Sequence, residues 1–553
     1  MARNSRTGKR EQTQSAFKIL TSAILFATTA FVILALPAYP AGLSGPWFLR
    51  IPLEVPLAGL VLLLLPRKLA KPTAAFITIT LLMLLVLKLA DLGVQTAFQR
   101  PFNLYLDATL VKNGWLFLST TFGVLRTSLA IALILSACAG AGFLLWRAQT
   151  SLINTARPMR RTLTLCFAGA SALTAALTVF PPATERIPLG TFHAARDISV
   201  GLVRTVQAAS DLQAFETELA APPPSSQDNL FQAIKGKDVV LVFIESYGRS
   251  ALENPSFRSL TAPRLKDIET TLSGEGIYSA SLWSGSPTVA GLSWLAHGTL
   301  LSGLWVDNQA RYDRLMSSQW TSLNRMFSKA GWQTSAIMPA ITMDWPEKNF
   351  FGYDQVLTAK DLGYRGKPFN WVTMPDQYTL TAFERLSRMP AHASGKPMMA
   401  EIALISSHAP WTPVAHLIDW QAVGDGTVFN QQATSGETPE AVWSDPVQIR
   451  DHYIRTIDYS LATLGEYISR FGQDAVFIIL GDHQPAEIVT GENASREVPV
   501  HVISRDKELI TRLEKTGFTA GLLPDSNTAS IRMDRLRQVL IEALSGNAAT
   551  PVN

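Results

Sequence analysis

Cysteine is nearly absent. The 553 residues contain two, Cys138 and Cys166, both inside apolar runs. Everything after residue 166 therefore lacks both a disulfide framework and a thiolate metal site. Charge is scarce too. Asp, Glu, Lys and Arg make up 17% of the chain, against about 25% in a typical soluble protein. Nor is the balance one-sided: 48 Lys+Arg against 44 Asp+Glu leave a formal net charge of +4. With no interleaving of basic and aromatic residues, so small an excess excludes nucleic acid as a partner. Apolar residues fill the space that charge leaves, at 47% of the chain. They are densest in the first third.

Five apolar runs there predict a transmembrane domain, residues 1–180, with five helices at about 17–39, 47–66, 73–92, 128–146 and 162–180. The second run is interrupted by Arg50 and Glu54. The first is longer than the apolar core of a signal peptide, and more runs follow, which predicts a retained helix. "MARNSRTGKREQ", "PRKLAKP" (66–72) and "WRAQTSLINTARPMRR" (146–161) are basic, and such segments stay in the cytoplasm. Five passes from a cytoplasmic N-terminus put residue 181 onward outside. Residues 181–236 read as a juxtamembrane connector, with an amphipathic helical pattern followed by the breaker "APPPSSQDN" (221–229).

Residues 237–553 then alternate apolar β-runs with helical patterns. Strands are expected at 238–246, 334–339, 398–407, 475–482 and 498–504, and helices at 288–302, 314–330, 375–388, 447–470 and 529–544. This order predicts an α/β domain with a mostly parallel sheet covered by helices on both faces. The polar stretch 421–446 reads as an exposed insertion, and His501 as a strand histidine.

In open α/β sheets, ligands bind beyond the carboxyl ends of strands. Three of these strand ends carry suitable groups: Glu245 in "VVLVFIESYGRS", His408 in "SSHAPW", and Asp482 with His483 in "IILGDHQP". Each alone has an ordinary structural explanation, as a cap, a turn or a surface carboxylate. Together, Glu, Asp and His around one divalent ion would leave an open coordination position. A nearby hydroxyl would be activated to attack phosphorus. "SGSPTVAGLSWLAHGTLLSG" (284–303) supplies Ser286 and Thr288. Thr288 is read as starting a helix, where backbone N–H groups favour a phosphate.

"FIESYGRS", "SPTVAGLSWL", "SSHAPW" and "LGDHQP", in this order behind the apolar runs, resemble the alkaline phosphatase/sulfatase superfamily. The likeness is to its membrane-anchored transferases: lipoteichoic acid synthases, phosphoglycerol transferases of periplasmic glucans, and phosphoethanolamine transferases. The resemblance implies an extracytoplasmic sulfatase-like catalytic domain, anchored in the bacterial inner membrane and facing the periplasm or exterior. It implies one divalent ion (Mn2+, Mg2+ or Zn2+) on Glu245, Asp482, His483 and the nucleophile Thr288, with His408 binding substrate phosphate or protonating the leaving group. It implies a phospholipid donor and a glycan or lipid acceptor. Phosphoglycerol is the expected head group. Phosphoethanolamine transfer, or hydrolysis with water as acceptor, stays open. Trp345 and Lys348 in "MDWPEKNFFGYDQV" stand where lipoteichoic acid synthases hold the head group with Trp and Arg. Formylglycine-dependent sulfatases need Cys or Ser in C/S-x-P-x-R, which "SGSPTVAG" lacks. Sulfate-ester hydrolysis is therefore not expected. Glu245→Ala should abolish metal-dependent turnover while the far-UV circular dichroism spectrum stays unchanged.

Overall fold

The computed structural model describes residues 2–39, 42–43, 49–98, 100–107, 114–115, 119, 123–179, 190–221, 230–491 and 494–546. Most of the expected breaker at 221–229 lies outside them. The chain divides into two compact units, Met1–Asp211 and Leu212–Asn553.

In the first unit, helices α1 (Ala2–Ala35), α2 (Glu54–Leu64), α3 (Arg67–Phe98), α4 (Val124–Ile153) and α5 (Arg157–Val179) follow in order. Strands β1 (Ile51–Pro52) and β2 (Gly190–Thr191) pair in parallel. Among the described residues, four stretches are long and apolar enough to cross a membrane: Ala16–Ala35, Arg67–Thr96, Val124–Ile153 and Arg157–Val179. The fifth expected span, 47–66, is not. Its helix α2 has 11 residues, about 16 Å at 1.5 Å per residue, against roughly 30 Å of hydrocarbon. Glu54 gives the reason. It opens α2, and its carboxylate accepts the Ala194 backbone N–H at 2.7 Å, at the start of α6 (His193–Ala220). That helix end favours negative charge. The apolar run is therefore cut short by a capping residue. α2 still runs antiparallel to α5. Arg160, near the start of α5, donates to the Leu63 and Leu65 carbonyls at 2.7 and 3.0 Å, and Gly59 packs against Phe167.

The second unit is built on one nine-stranded sheet. Its strands are β3 (Asp238–Ile244), β4 (Tyr278–Gly285), β5 (Gln333–Met338), β6 (Gln355–Thr358), β7 (Met398–Leu404), β8 (Ala475–Gly481), β9 (Glu497–Ser504), β10 (Thr519–Ala520) and β11 (Ile531–Arg532). The order is β10-β4-β9-β8-β3-β7-β5-β6, with β11 beside β4. β8, β3, β7, β5 and β6 are parallel, and β9 is antiparallel to both of its neighbours. The expected strands are all present. β4, β6, β10 and β11 were not expected, being short or interrupted by polar residues.

β3 shows why the sheet is covered on both faces. Val240, Val242 and Ile244 enter one core layer, under α7 (Pro255–Gly274) and α9 (Pro446–Phe471). Val239, Leu241 and Phe243 enter the other, under α8 (Ser293–Ser302) and α10 (Met533–Ser545). A strand buried on both sides needs an uninterrupted apolar run. The expected helix at 314–330 is two, Gln309–Met316 and Leu323–Lys329. The 421–446 insertion is less exposed than its composition suggests, because Phe429 and Val442 reach the core.

β3 lies between β8 and β7, with Ile244 level with both Gly481 and Leu404. The residues after these three strands therefore emerge side by side. Gly481 makes that closeness feasible, since a Cβ there would lie 1.8 Å from the Tyr247 carbonyl oxygen. Gly481→Ala should cost about 3 kcal/mol or more, read as a lowered urea midpoint, and should weaken metal binding along with it.

Candidate metal centre

Glu245, Asp482 and His483 each offer a ligand atom, and these atoms lie within 4.8 Å of one another. All three residues are buried against solvent around the cluster; Asp482 and His483 are 1% exposed. His483 Nε2 is 3.2 Å from Glu245 Oε1 and 3.7 Å from Asp482 Oδ2. The imidazole's other nitrogen, Nδ1, donates to the Gln484 carbonyl at 2.8 Å. When the ring gives up its Nε2 proton, that bond leaves the tautomer whose Nε2 lone pair faces the carboxylates, as a metal-binding histidine requires. Asp482 Oδ1 accepts the backbone N–H groups of Ser246 and His483 at 2.8 and 2.6 Å. Glu245 accepts the Ser246 and Ser293 hydroxyls at 3.1 and 3.0 Å. Two oriented carboxylates and one imidazole suit a divalent ion such as zinc or manganese.

The loop that carries Thr288 departs from expectation. α8 begins at Ser293, not near Thr288, so Thr288 is not a helix cap. Ala290 and Leu292 take positive φ angles of 60°, and Gly291 takes 140°. Three successive left-handed or extreme residues cannot form a helical turn. The loop is stapled to the ligand strand instead. Ser286 Oγ donates to the Asp482 carbonyl at 2.5 Å, and Ala290 N–H donates to the Gln484 carbonyl at 2.8 Å. Thr288 is buried, with its hydroxyl donating to the Gly291 carbonyl at 2.7 Å. Ser293, not anticipated, joins Ser246 in touching the cluster, 3.0 Å from Glu245 and 3.2 Å from His483 Nε2.

Residues 237–496 match the family described as Sulfatase. They form a sulfatase-family domain. This bears out the superfamily expected from the motifs. No curated protein matches the chain. Among solved structures, it is similar to the lipoteichoic acid synthase LtaP of Listeria monocytogenes, at 14% identity and TM-score 0.39, covering 61% of this chain and 78% of that one. It is similar to the periplasmic domain of EptC from Escherichia coli, at 13% and 0.40, covering 60% and 90%. The phosphoglycerol transferase GacH of Streptococcus pyogenes, in complex with sn-glycerol-1-phosphate, gives 12% and 0.37, covering 63% and 82%.

In the sulfatase-family domain His408 follows β7, the strand beside Glu245. Its Nδ1 donates to the Ala409 carbonyl at 2.6 Å. The loop that carries it is held by Asp376, a buried carboxylate that accepts the Ile405 and Ser406 backbone N–H groups at 3.0 and 2.9 Å and the Ser460 hydroxyl at 2.6 Å. Nothing in the spacing of the chain marks Asp376, which lies 32 residues upstream in sequence. Trp345 packs on Phe351 and Tyr353, with ring centroids 5.8 and 6.2 Å away, and Lys348 is exposed. The structure does not put either in the Glu245 cluster. The ring stacked on His408, among the described residues, is Trp371. Arg249 is structural: it pairs with Glu253 and Glu497 and lies over Trp283. His501 is likewise internal, between Tyr247 Oη at 3.1 Å and Ser281 Oγ at 2.8 Å, with burial holding its pKa down at about 3.

The electrostatics of the cluster follow from burial and mutual charge. Burial alone would raise Glu245, yet the charge and hydrogen bond of His483 hold it well below the usual carboxylate range. Asp482 is pushed up to about 6, first by burial and then by the Glu245 charge. Burial would lower His483, but Asp482 and Glu245 overcome it and raise the imidazole to about 9. Below about pH 9 the ion-free cluster therefore holds a proton on His483 that an entering cation must displace. Divalent-ion binding at pH 7–8 should release about one proton per ion. Apparent affinity should rise roughly tenfold per pH unit and level off toward pH 9. Calorimetry in buffers of different ionisation enthalpy reads this directly, and binding without proton release would remove His483 from the ligand set.

Proposed function

We propose that the chain moves a phospho-head group, phosphoglycerol first, from a membrane phospholipid to an acceptor hydroxyl through a phospho-Thr288 intermediate. What carries this reading is the meeting of Glu245, Asp482 and His483 at adjacent strand ends. The stapled Thr288 loop and the four apolar helices on the same chain support it.

In the first step the Thr288 hydroxyl loses its proton to solvent, its oxygen attacks the lipid phosphorus, and the bond to the diacylglycerol oxygen breaks. His408 Nε2 gives that oxygen its proton; the Nδ1 bond to Ala409 keeps Nε2 facing outward from the loop. In the second step an acceptor hydroxyl attacks the phospho-threonine and passes its proton to His408 Nε2, and the departing Thr288 oxygen takes a proton back from solvent. Glu245, Asp482 and His483 would hold a divalent ion, whose charge would lower the pKa of the neighbouring hydroxyl and balance the phosphate. Ser293 would orient Glu245 through its 3.0 Å hydrogen bond.

The same reading puts the catalytic unit outside. Arg160 ties residues 63–65 to the start of α5, so the basic stretches 66–72 and 157–161 share one end of the helix set. At the other end Lys88 donates to the Leu34 and Leu36 carbonyls at 2.7 Å, and β1 pairs with β2. Short as it is, α2 links these ends. Counting it, residue 190 lies across the membrane from the basic N-terminus, in accord with the distribution of Lys and Arg.

The test uses the full chain in nanodiscs with labelled phosphatidylglycerol or phosphatidylethanolamine. Peptide mass spectrometry should find a phospho adduct on Thr288, whose mass names the head group. Thr288→Ala should lower diacylglycerol release by more than about a thousandfold. An adduct on Ser293, or turnover surviving Thr288→Ala, would overturn the assignment. Diacylglycerol release with equal speed in water and with acceptor would mean hydrolysis.

A further inference from the structure

Trp371 stands at the tip of a tight turn. Phe369 and Val372 exchange backbone hydrogen bonds, the Phe369 N–H reaching Val372 O at 2.8 Å and the Val372 N–H reaching Phe369 O at 3.1 Å. Asn370 takes φ 56° and pins the turn by donating from Nδ2 to the Thr412 carbonyl at 2.5 Å. A non-glycine residue held there costs about 1 kcal/mol or more. The result is an indole 49% exposed, its ring 5.9 Å from the His408 imidazole and tilted by only 16°.

The other end of the same short segment has a matching feature. Trp411, buried, lies parallel to Trp443 at 5.6 Å and 3°, and Trp443 is 43% exposed. Trp411 Nε1 donates to the Ser407 carbonyl at 2.8 Å, and Trp443 Nε1 to Pro410 at 3.3 Å. Two half-exposed indoles thus bracket residues 407–411. Beyond them Thr412–Leu417 border a cleft of about 1130 Å³. Its walls carry Arg264, Asp451, Arg455 and Asp458.

A flat indole offers a large, rigid apolar face at little entropic cost, with polar groups beside it. That combination fits the C–H face of a pyranose ring, whose hydroxyls meet carboxylates and guanidinium groups at the edge. An acyl chain fits less well, since it would take water from the paired charges of the cleft wall, Arg264 with Asp458 and Arg455 with Asp451.

We infer that Trp371 is the specificity-determining platform for a glycan acceptor, seating a terminal pyranose against His408 so that its hydroxyl reaches phospho-Thr288. The inference rests on the transferase reading above. In the step concerned, the sugar oxygen forms a bond to phosphorus, the bond from phosphorus to the Thr288 oxygen breaks, the hydroxyl proton passes to His408, and Thr288 takes a proton back from solvent.

The experiment separates loading from discharge in the full chain in phosphatidylglycerol nanodiscs. Acceptors are a panel of malto-, cello-, laminari- and gentio-oligosaccharides, with glycerol as the acceptor lacking a ring. Trp371→Ala should slow oligosaccharide discharge at least about tenfold more than it slows adduct formation or glycerol discharge. It should raise KM for the best oligosaccharide at least about tenfold with kcat retained, and Trp371→Phe should fall between. Saturation-transfer NMR on unloaded protein should show oligosaccharide binding that Trp371→Ala removes. Equal losses with glycerol and oligosaccharide, adduct formation slowed as much as oligosaccharide discharge, or no panel member binding would each overturn the platform. Trp371-dependent oligosaccharide binding in a protein that forms no adduct would instead overturn the transferase reading and leave the platform standing.

Discussion

Glu245 and Asp482 are carboxylates buried together, and two negative charges in a protein interior repel each other and lose their water. A positive charge between them relieves both costs. In the ion-free protein that charge is the proton on His483, which is why the imidazole stays protonated to about pH 9. A divalent cation fills the same electrostatic role with more charge. The rest of the catalytic unit can be understood as what it takes to keep these three groups converged. Rigid parallel strands deliver them level, backbone N–H groups orient Asp482, and Gly481 lets two chain segments approach where a side chain would not fit.

Around this rigid centre, the groups that would meet substrate sit on loops. Backbone strain collects there. Six described non-glycine residues have positive φ, and five of them, Ser246, Ala290, Leu292, Asn370 and Trp411, lie in the segments that carry Glu245, Thr288, Trp371 and His408. Strain of this kind persists only where surrounding contacts over-determine the conformation. Here the contacts are visible: Tyr453 donates to the Ser246 carbonyl at 2.9 Å, and Asp376 gathers the loop before His408. Strands supply position, and loops supply reach.

The first unit, with four described helices long and apolar enough to cross a membrane, would meet a different constraint there. Its helices must satisfy their own backbone groups, so length is dictated by hydrocarbon thickness. α2 breaks that rule. Its neighbours compensate, with Arg160 taking up carbonyls at its C-terminal end and β1 pairing with β2 ahead of its start. Glu54, conspicuous in an apolar run, turns out to cap the neighbouring helix α6.

The apolar runs determined four helices and the five main strands by themselves, because burial on both faces of a sheet, or within lipid, leaves few other compositions. Glu245, Asp482, His483 and His408 were legible for the same reason: polar residues that end such runs stand out. What the chain alone did not decide was anything set by long-range contact. The start of α8 at Ser293 depends on loop residues paired with Gln484, and local pattern placed it five residues early. Ser293, Asp376 and Trp371 had no signature, since a serine opening a helix, an aspartate after a proline and a tryptophan in a loop are each ordinary. Only the tertiary structure brings them to the cluster and to His408. Register between strands far apart in sequence fixes that neighbourhood, and no local rule of spacing encodes it.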